Sequence, residues 1–139
     1  MGLDMYAYAR PPRKRNNDED LHIAEWRKHN RLQGWMQELW ESKGCPNADT
    51  EGNPMGDFNS VEMKLTLADI YALEDAILTM TMPESNGFFW GSDSFFWADE
   101  DGNDYPEDRY YYLESDLQFV DDAKKMLDKG YRVFYSCWY

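Results

Sequence analysis

Two hydrophobic periodicities alternate along this chain, and their order constrains the fold more than any other feature of the sequence. Residues 3–9 alternate as a strand does, which predicts one face made of Leu3, Met5, Ala7 and Ala9. Residues 131–139 alternate in the same way and predict a second strand. Segments between them repeat at the helical spacing of three and four residues. Interspersed strands and helices indicate an α+β fold, because each element must bury one face against another.

The strongest helical pattern lies between residue 20 and Lys43. Its apolar stripe comprises Leu32, Trp35, Met36, Leu39 and Trp40. The acidic residues at 18–20 suit the first turn of a helix, where carboxylates complement the dipole. Gly44 fits the position just after a last turn, and Pro46 prevents continuation. We therefore expect one helix over residues 20–43.

Shorter patterns predict a strand and a second helix in the middle of the chain. Residues 61–65 alternate as a short strand, and Thr66 with Asp69 forms a capping-box-like pair at the start of a helix. Pro83 ends that helix. Its predicted buried face comprises Leu67, Ile70, Leu73, Ala76, Ile77 and Met80.

The last third of the chain predicts a third helix and the closing strand. Ser115 or Asp116 is expected to cap a helix that runs through Leu127 and stops at Gly130, and two aromatic runs within residues 87–97 predict two further strands. Residues 1–139 are therefore predicted to form a single α+β domain. We expect a small mixed or antiparallel sheet with about three helices packed mainly on one face and with the terminal strands adjacent.

Charge and composition exclude several classes of protein. Residues 1–43 hold eight Lys or Arg and seven Asp or Glu, whereas residues 44–139 hold six and twenty, so the net charge of −13 belongs to the second segment. A field of that sign repels phosphate backbones, and bulk nucleic-acid binding is not expected. No stretch approaches the roughly 20 apolar residues needed to span a bilayer, and the start lacks a signal-peptide pattern. We therefore expect a cytoplasmic protein without a membrane partner.

Several motifs, taken in order, carry a resemblance to a known family. They are MGLDMY at the start, WRKHNRLQGWM, FNSVEMKLTLADIYALE, GFFWGSDSF and the aromatic ending at residues 134–138. Together they extend over most of the chain, which resembles a family of small bacteriophage and prophage proteins. The resemblance implies a phage accessory protein that acts in the host cell cytoplasm, and it implies no reaction mechanism.

The predicted first helix offers the best candidate ligand site. Arg27, Asn30 and Arg31 are spaced to share one helical face, and Lys28 flanks it. Two guanidinium groups and an amide could hold a phosphate or a carboxylate. A solvated basic face that pairs with acidic residues elsewhere explains the same pattern.

The aromatic region offers a second set of candidate ligand-binding residues. Phe89 and Trp90 belong to the GFFWG run at residues 87–91, and such rings can stack on a planar ligand such as a base. Neighbouring residues of a strand point to opposite faces, so about half of these aromatics are expected in the core whatever the function. Core and interface packing is therefore the alternative interpretation.

No catalytic, metal or cofactor signature is present in the sequence. Cys45 and Cys137 have no recognisable histidine partner, and His22 with His29 lacks further ligands at metal-binding spacing. We therefore predict no catalytic residues, no metal and no cofactor, and we lean against an enzyme.

These observations favour a non-enzymatic binding module with which a phage modulates or inhibits a host protein, such as a defence protein. The first alternative is a small-molecule binder that sequesters a nucleotide or a nucleotide-derived signal. The second is an enzyme of a class that the sequence does not identify. A homo-oligomer is compatible with the terminal aromatic strand, which could add to a sheet edge.

Overall fold

The computed structural model describes five segments of the chain, which are residues 3–12, 20–27, 29–47, 58–82 and 112–139. Within them the chain forms an antiparallel sheet of four strands and three helices. The strands are β1 (Asp4–Arg10), β2 (Leu21–Arg27), β3 (Met63–Leu65) and β4 (Arg132–Trp138). The helices are α1 (Asn30–Ser42), α2 (Leu67–Leu78) and α3 (Leu113–Asp128). The predicted α+β class is confirmed.

The sheet has the order β2-β1-β4-β3, so the first and last strands are its two central members. β1 and β4 pair antiparallel in continuous register from Asp4 opposite Trp138 to Arg10 opposite Arg132. The predicted adjacency of the terminal strands is confirmed. β3 adds only three residues, pairing Lys64 with Phe134 at its centre.

One face of the sheet, the inner face, forms the core. The predicted apolar face of the first strand is confirmed, because Leu3, Met5, Ala7 and Ala9 are all completely buried. The helices contribute their own apolar side chains to the same cluster. Those fully buried in α1, α2 and α3 include Leu32, Met36, Ile70, Leu73, Ile77, Phe119, Val120 and Ala123.

The prediction of a single helix over residues 20–43 was wrong in its first part. Residues 21–27 form β2, which pairs with β1 from Leu21 opposite Ala9 to Arg27 opposite Asp4 and bulges between its two halves. The apolar stripe that supported the helix begins only at Leu32, so nothing in residues 20–29 required helical spacing. Backbone pairing with β1 satisfies the amides there instead, and α1 begins after His29.

The predicted cap of α2 and the predicted stops of α1 and α3 agree with the structure. Thr66 and Asp69 form the predicted capping box, with the Asp69 amide donating to Thr66 Oγ1 at 3.1 Å and the Thr66 amide donating to Asp69 Oδ2 at 2.9 Å. Gly44 and Gly130 both have φ near +85°, as the predicted helix stops require. The predicted buried position of Leu67 was wrong, since this side chain is exposed.

The start predicted for the third helix was also wrong. α3 begins at Leu113, two residues before Ser115, and Tyr112 occupies the N-cap position. Asp116 therefore lies within the first turn, and its side chain is buried instead of capping the helix. The aromatic runs within residues 87–97 lie outside the described residues.

Candidate functional site

The predicted ligand residues do not share one helical face. Arg27 is the last residue of β2, with 77% of its side chain exposed, whereas Asn30 is buried in the first turn of α1. Arg31 is half-buried next to it. The helical face proposed for these three residues was wrong, because a strand ends between the first and the second. Lys28, Phe89 and Trp90 lie outside the described residues.

The β2–α1 junction is held by four side chains, which we call the junction cluster: the buried Trp26, His29 and Asp116 and the half-buried Tyr112. The indole Nε1 of Trp26 donates to Asp116 Oδ1 at 3.0 Å, and His29 Nε2 lies 2.8 Å from Asp116 Oδ2. His29 Nδ1 accepts a hydrogen bond from the Leu32 amide at 3.4 Å. With Nδ1 accepting from this amide, Nε2 carries a proton and donates it to the Asp116 carboxylate.

Tyr112 closes the junction cluster from the N-cap of α3. Its ring stacks on His29 with centroids 4.3 Å apart and an interplanar angle of 11°. Its hydroxyl donates to the backbone carbonyl of Arg27 at 2.6 Å. Since His29 and Asp116 are completely buried, this pair positions the end of β2 and meets no substrate from solvent.

A second buried polar group lies under the centre of the sheet. Gln33 Nε2 donates to Cys137 Sγ at 3.1 Å, and Gln33 Oε1 accepts from the Tyr135 hydroxyl. The Cys137 thiol reaches the carbonyl of Phe58 at 3.4 Å. Burial raises the pKa of Tyr135 well above its ordinary value. These contacts place Cys137 in a packed interior rather than at a reactive surface.

The opposite face of the sheet, the outer face, carries an ion-pair group that we call the outer cluster: Tyr8, Arg10, Asp20, Glu62 and Phe134. The Arg10 guanidinium binds both carboxylates in bidentate fashion at 2.9–3.1 Å, and the Tyr8 hydroxyl donates to Glu62 at 2.6 Å. The guanidinium carbon of Arg10 also lies 4.4 Å from the centroid of the Phe134 ring. Burial raises the pKa of Glu62, but the hydrogen bonds from Arg10 and Tyr8 outweigh it, so the net pKa is lowered.

Beside this cluster the outer face presents five exposed or half-buried side chains that we call the outer row: Asp4, Tyr6, Glu25, Arg27 and Trp138. Asp4 of β1 lies opposite Arg27 on one side and opposite Trp138 on the other, and Tyr6 lies opposite Glu25. The indole of Trp138 is 62% exposed. The pKa of Tyr6 is raised, first by burial and then by the carboxylates of Asp4 and Glu25. The outer row therefore combines an exposed indole with a negative local field.

The backbone beneath Trp138 is fixed on both sides. β4 pairs with β1 along its whole length. The side chain of Asn59 accepts from the Tyr139 amide and donates to the Tyr139 carbonyl, each at 2.9 Å. An indole held this way loses little backbone freedom when a partner binds it.

Sequence reasoning missed both polar clusters and the exposure of Trp138. Asp116 precedes Phe119, Val120 and Ala123 at helical spacing, and this phase could have placed its carboxylate on the buried side of α3. The partners His29 and Trp26 are about 90 residues away in sequence. Only the fold brings them together.

No described helix is long and apolar enough to cross a membrane. Among the residues that the structure describes, no group of three or more His, Cys, Asp or Glu side chains is placed to hold a metal ion. The chain matches no protein-family model, no curated protein and no solved structure.

Proposed function

We propose that this chain is a non-enzymatic binding module of a phage or prophage that contacts a host protein through the outer row. The observation that carries the proposal is Trp138, an indole 62% exposed on a central strand that pairs with β1 along its whole length. Tryptophan is enriched among residues that dominate binding energy at protein interfaces. A large exposed ring on a rigid strand is suited to insertion into a pocket of another protein.

The electrostatics of the outer row indicate the chemistry of the partner. The carboxyl groups of Asp4 and Glu25 flank Tyr6, whereas Arg27 is the one basic residue of the outer row. The net charge of −13 adds a long-range field of the same sign. Such a field speeds the encounter with a basic surface and slows it with an acidic one. We therefore expect the host protein to present Lys or Arg around an apolar pocket.

The phage origin of the module is supported by the sequence motifs given above. A phage accessory protein that carries no recognisable catalytic set acts most simply by binding. Inhibition or redirection of a host protein, such as a defence protein, follows if the contacted surface is one that the host protein uses.

The experiment is a pull-down from lysate of the bacterial host with the tagged chain and two variants. Trp138→Ala removes the indole of the outer row, and we expect it to abolish capture of the partner. Leu21→Ala is the matched control, because Leu21 is also exposed but lies opposite Ala9, on the side of the inner face. Both variants should unfold at the wild-type urea midpoint.

Capture that is lost in Trp138→Ala, kept in Leu21→Ala and weakened by added salt supports the proposal. Equal capture by all three proteins assigns the contact to another surface. If the wild type retains no host protein at low or moderate salt, the binding-module proposal fails.

A nucleotide-sequestering function is the second candidate, and one observation favours it. Arg27 and Trp138 lie on either side of Asp4. Their strands, β2 and β4, flank β1 and are therefore about 10 Å apart. This spacing suits a phosphate at one residue and a stacked base at the other, although the Asp4 carboxylate between them opposes the phosphate charge.

A thermal-shift screen against mono-, di- and cyclic nucleotides tests this candidate. At a hundredfold excess over its dissociation constant, a ligand adds about 2.7 kcal/mol of stability. A shift lost in Arg27→Ala or Trp138→Ala would support the nucleotide site, and unchanged midpoints with every nucleotide would remove it.

A further inference from the structure

Helix α2 carries an unusual amount of exposed apolar surface. Five large apolar side chains are exposed among the described residues, and three of them belong to this helix: Leu67 at 45%, Tyr71 at 54% and Leu78 at 63%. The opposite side of α2 already packs in the core through Ile70, Leu73, Ala76 and Ile77. A helix that is apolar on both sides is typically covered on both sides.

The exposed side chains form one continuous stripe. Leu67, Tyr71, Asp75 and Leu78 follow one another at spacings of four, four and three residues, so they lie along one line of the helix surface. Ala68 is exposed beside this line. We call these five residues the α2 stripe. It contains large apolar side chains, one small one, one hydroxyl donor and one carboxylate.

We propose that a second copy of this chain covers the α2 stripe, with the two α2 helices antiparallel around a two-fold axis that passes between Tyr71 and Asp75. Such an axis places each Tyr71 opposite Asp75 of the other copy and each Leu78 opposite Ala68 of the other copy. Each tyrosine hydroxyl can then donate to a carboxylate, and each large side chain meets a small one. A two-fold interface requires this self-complementarity.

The charges in and beside the α2 stripe also fit a second copy. The Lys124 ammonium lies 4.7 Å from the centroid of the Tyr71 ring and 2.7 Å from Glu74 Oε2. A cation therefore stands beside the position that Asp75 of the other copy would occupy. In its own chain, no described Lys, Arg or His lies within ion-pair distance of the Asp75 carboxylate.

The acids of α2 argue against a foreign basic segment as the occupant. Asp69 is already paired with Lys43, and Glu74 with Lys124. Only Asp75 remains to attract a basic partner, whereas the self-pairing uses the hydroxyl of Tyr71 as well. The net charge of −13 on each copy opposes association. We therefore expect a weak dimer that tightens as salt screens this repulsion.

Sedimentation equilibrium of the full chain, from micromolar to near-millimolar concentration, tests the proposal. The wild type is expected to show a monomer–dimer equilibrium with a dissociation constant that falls as the salt concentration rises. Leu78→Ala should raise this constant by about tenfold or more, because each dimer loses two buried side chains. Tyr71→Phe, which removes only the hydroxyl, should raise it by about threefold to tenfold.

Two control variants distinguish the α2 stripe from the other exposed surfaces of the chain. Leu21→Ala removes a comparably exposed leucine of β2 and should leave the dissociation constant unchanged. Trp138→Ala should also leave it unchanged, so loss of host-protein capture and loss of the dimer are separate results. A wild type that stays monomeric throughout, or a dimer that neither Leu78→Ala nor Tyr71→Phe weakens, overturns the proposal.

Discussion

The junction cluster and the outer cluster are built from similar groups on opposite faces of one sheet. Both centre on carboxylates that accept two or more hydrogen bonds, Asp116 inside and Glu62 outside. The Asp116 side chain is 1% exposed, whereas that of Glu62 is 35% exposed. Water can reach every ionic group of the outer cluster but cannot reach the centre of the junction cluster.

This difference separates the consequence of breaking each cluster. When a buried carboxylate is removed, its donors lose their partner and find no water in its place. When an exposed carboxylate is removed, solvent hydrates the remaining groups, and much of the interaction energy is regained. The cost of a substitution should therefore follow the burial of the group rather than the number of its hydrogen bonds.

Asp116→Ala should have the largest effect on stability. It leaves the indole of Trp26 and the imidazole of His29 without their acceptor in a dry site, and we expect a loss of about 3–5 kcal/mol in the free energy of unfolding. Asp116→Asn retains one acceptor and should lose less. Urea denaturation at neutral pH measures both.

The control for this prediction is Asp122→Ala on the same helix. Asp122 accepts from Gln118 at 3.0 Å on the exposed side of α3, so its loss should cost well under 1 kcal/mol. If Asp116→Asn and Asp122→Ala lower the free energy of unfolding equally, the buried junction cluster contributes no more to stability than an exposed hydrogen bond. That outcome would show that burial does not set the cost of losing a carboxylate on either face.

Glu62→Gln should have an intermediate, pH-dependent effect. The folded-state pKa of Glu62 is lowered, so its stabilisation is complete above the unfolded-state pKa and is lost as the pH falls through the folded-state pKa. Because the side chain is about one-third exposed, we expect only about 1 kcal/mol at neutral pH. Urea midpoints of wild type and variant should therefore converge as the pH is lowered below 4.

The matched control for the pH experiment is Glu25→Gln, a substitution of a carboxylate that is 61% exposed on the same face. Its effect should be smaller than that of Glu62→Gln at neutral pH. A difference between wild type and Glu62→Gln that stays constant down to low pH would contradict the assignment of the ion pairs to the charged form of Glu62.

The two central strands were predictable because their alternation is local. Leu3, Met5, Ala7 and Ala9 specify one buried face without reference to any other part of the chain. The capping box of Thr66 and Asp69 is equally local, since both of its hydrogen bonds span three residues. Local patterns of this kind can be recognised from a short stretch of sequence, without knowledge of the contacts that it makes with distant segments.

The candidate site was less predictable because it depends on pairing between distant segments. Residues 21–27 became a strand through hydrogen bonds with β1, and this removed Arg27 from the face expected to hold Arg31. The meeting of His29 with Asp116 depends on the docking of α3 beside β2. Neither contact leaves a repeating pattern, and so neither could be read from periodicity.

Lys125→Ala should change the free energy of unfolding least among these variants, because both side chains of its ion pair are exposed. Lys125 Nζ lies 2.9 Å from Asp121 Oδ2, one turn earlier on α3, and this hydrogen bond raises the pKa of Lys125. Both side chains are mostly exposed, so water and salt replace each partner when the other is lost. The urea midpoint should match that of the wild type at physiological ionic strength. If Lys125→Ala instead costs as much as Glu62→Gln, burial does not rank these ion pairs, and the stability of the outer cluster must come from the packing of Arg10 on Phe134.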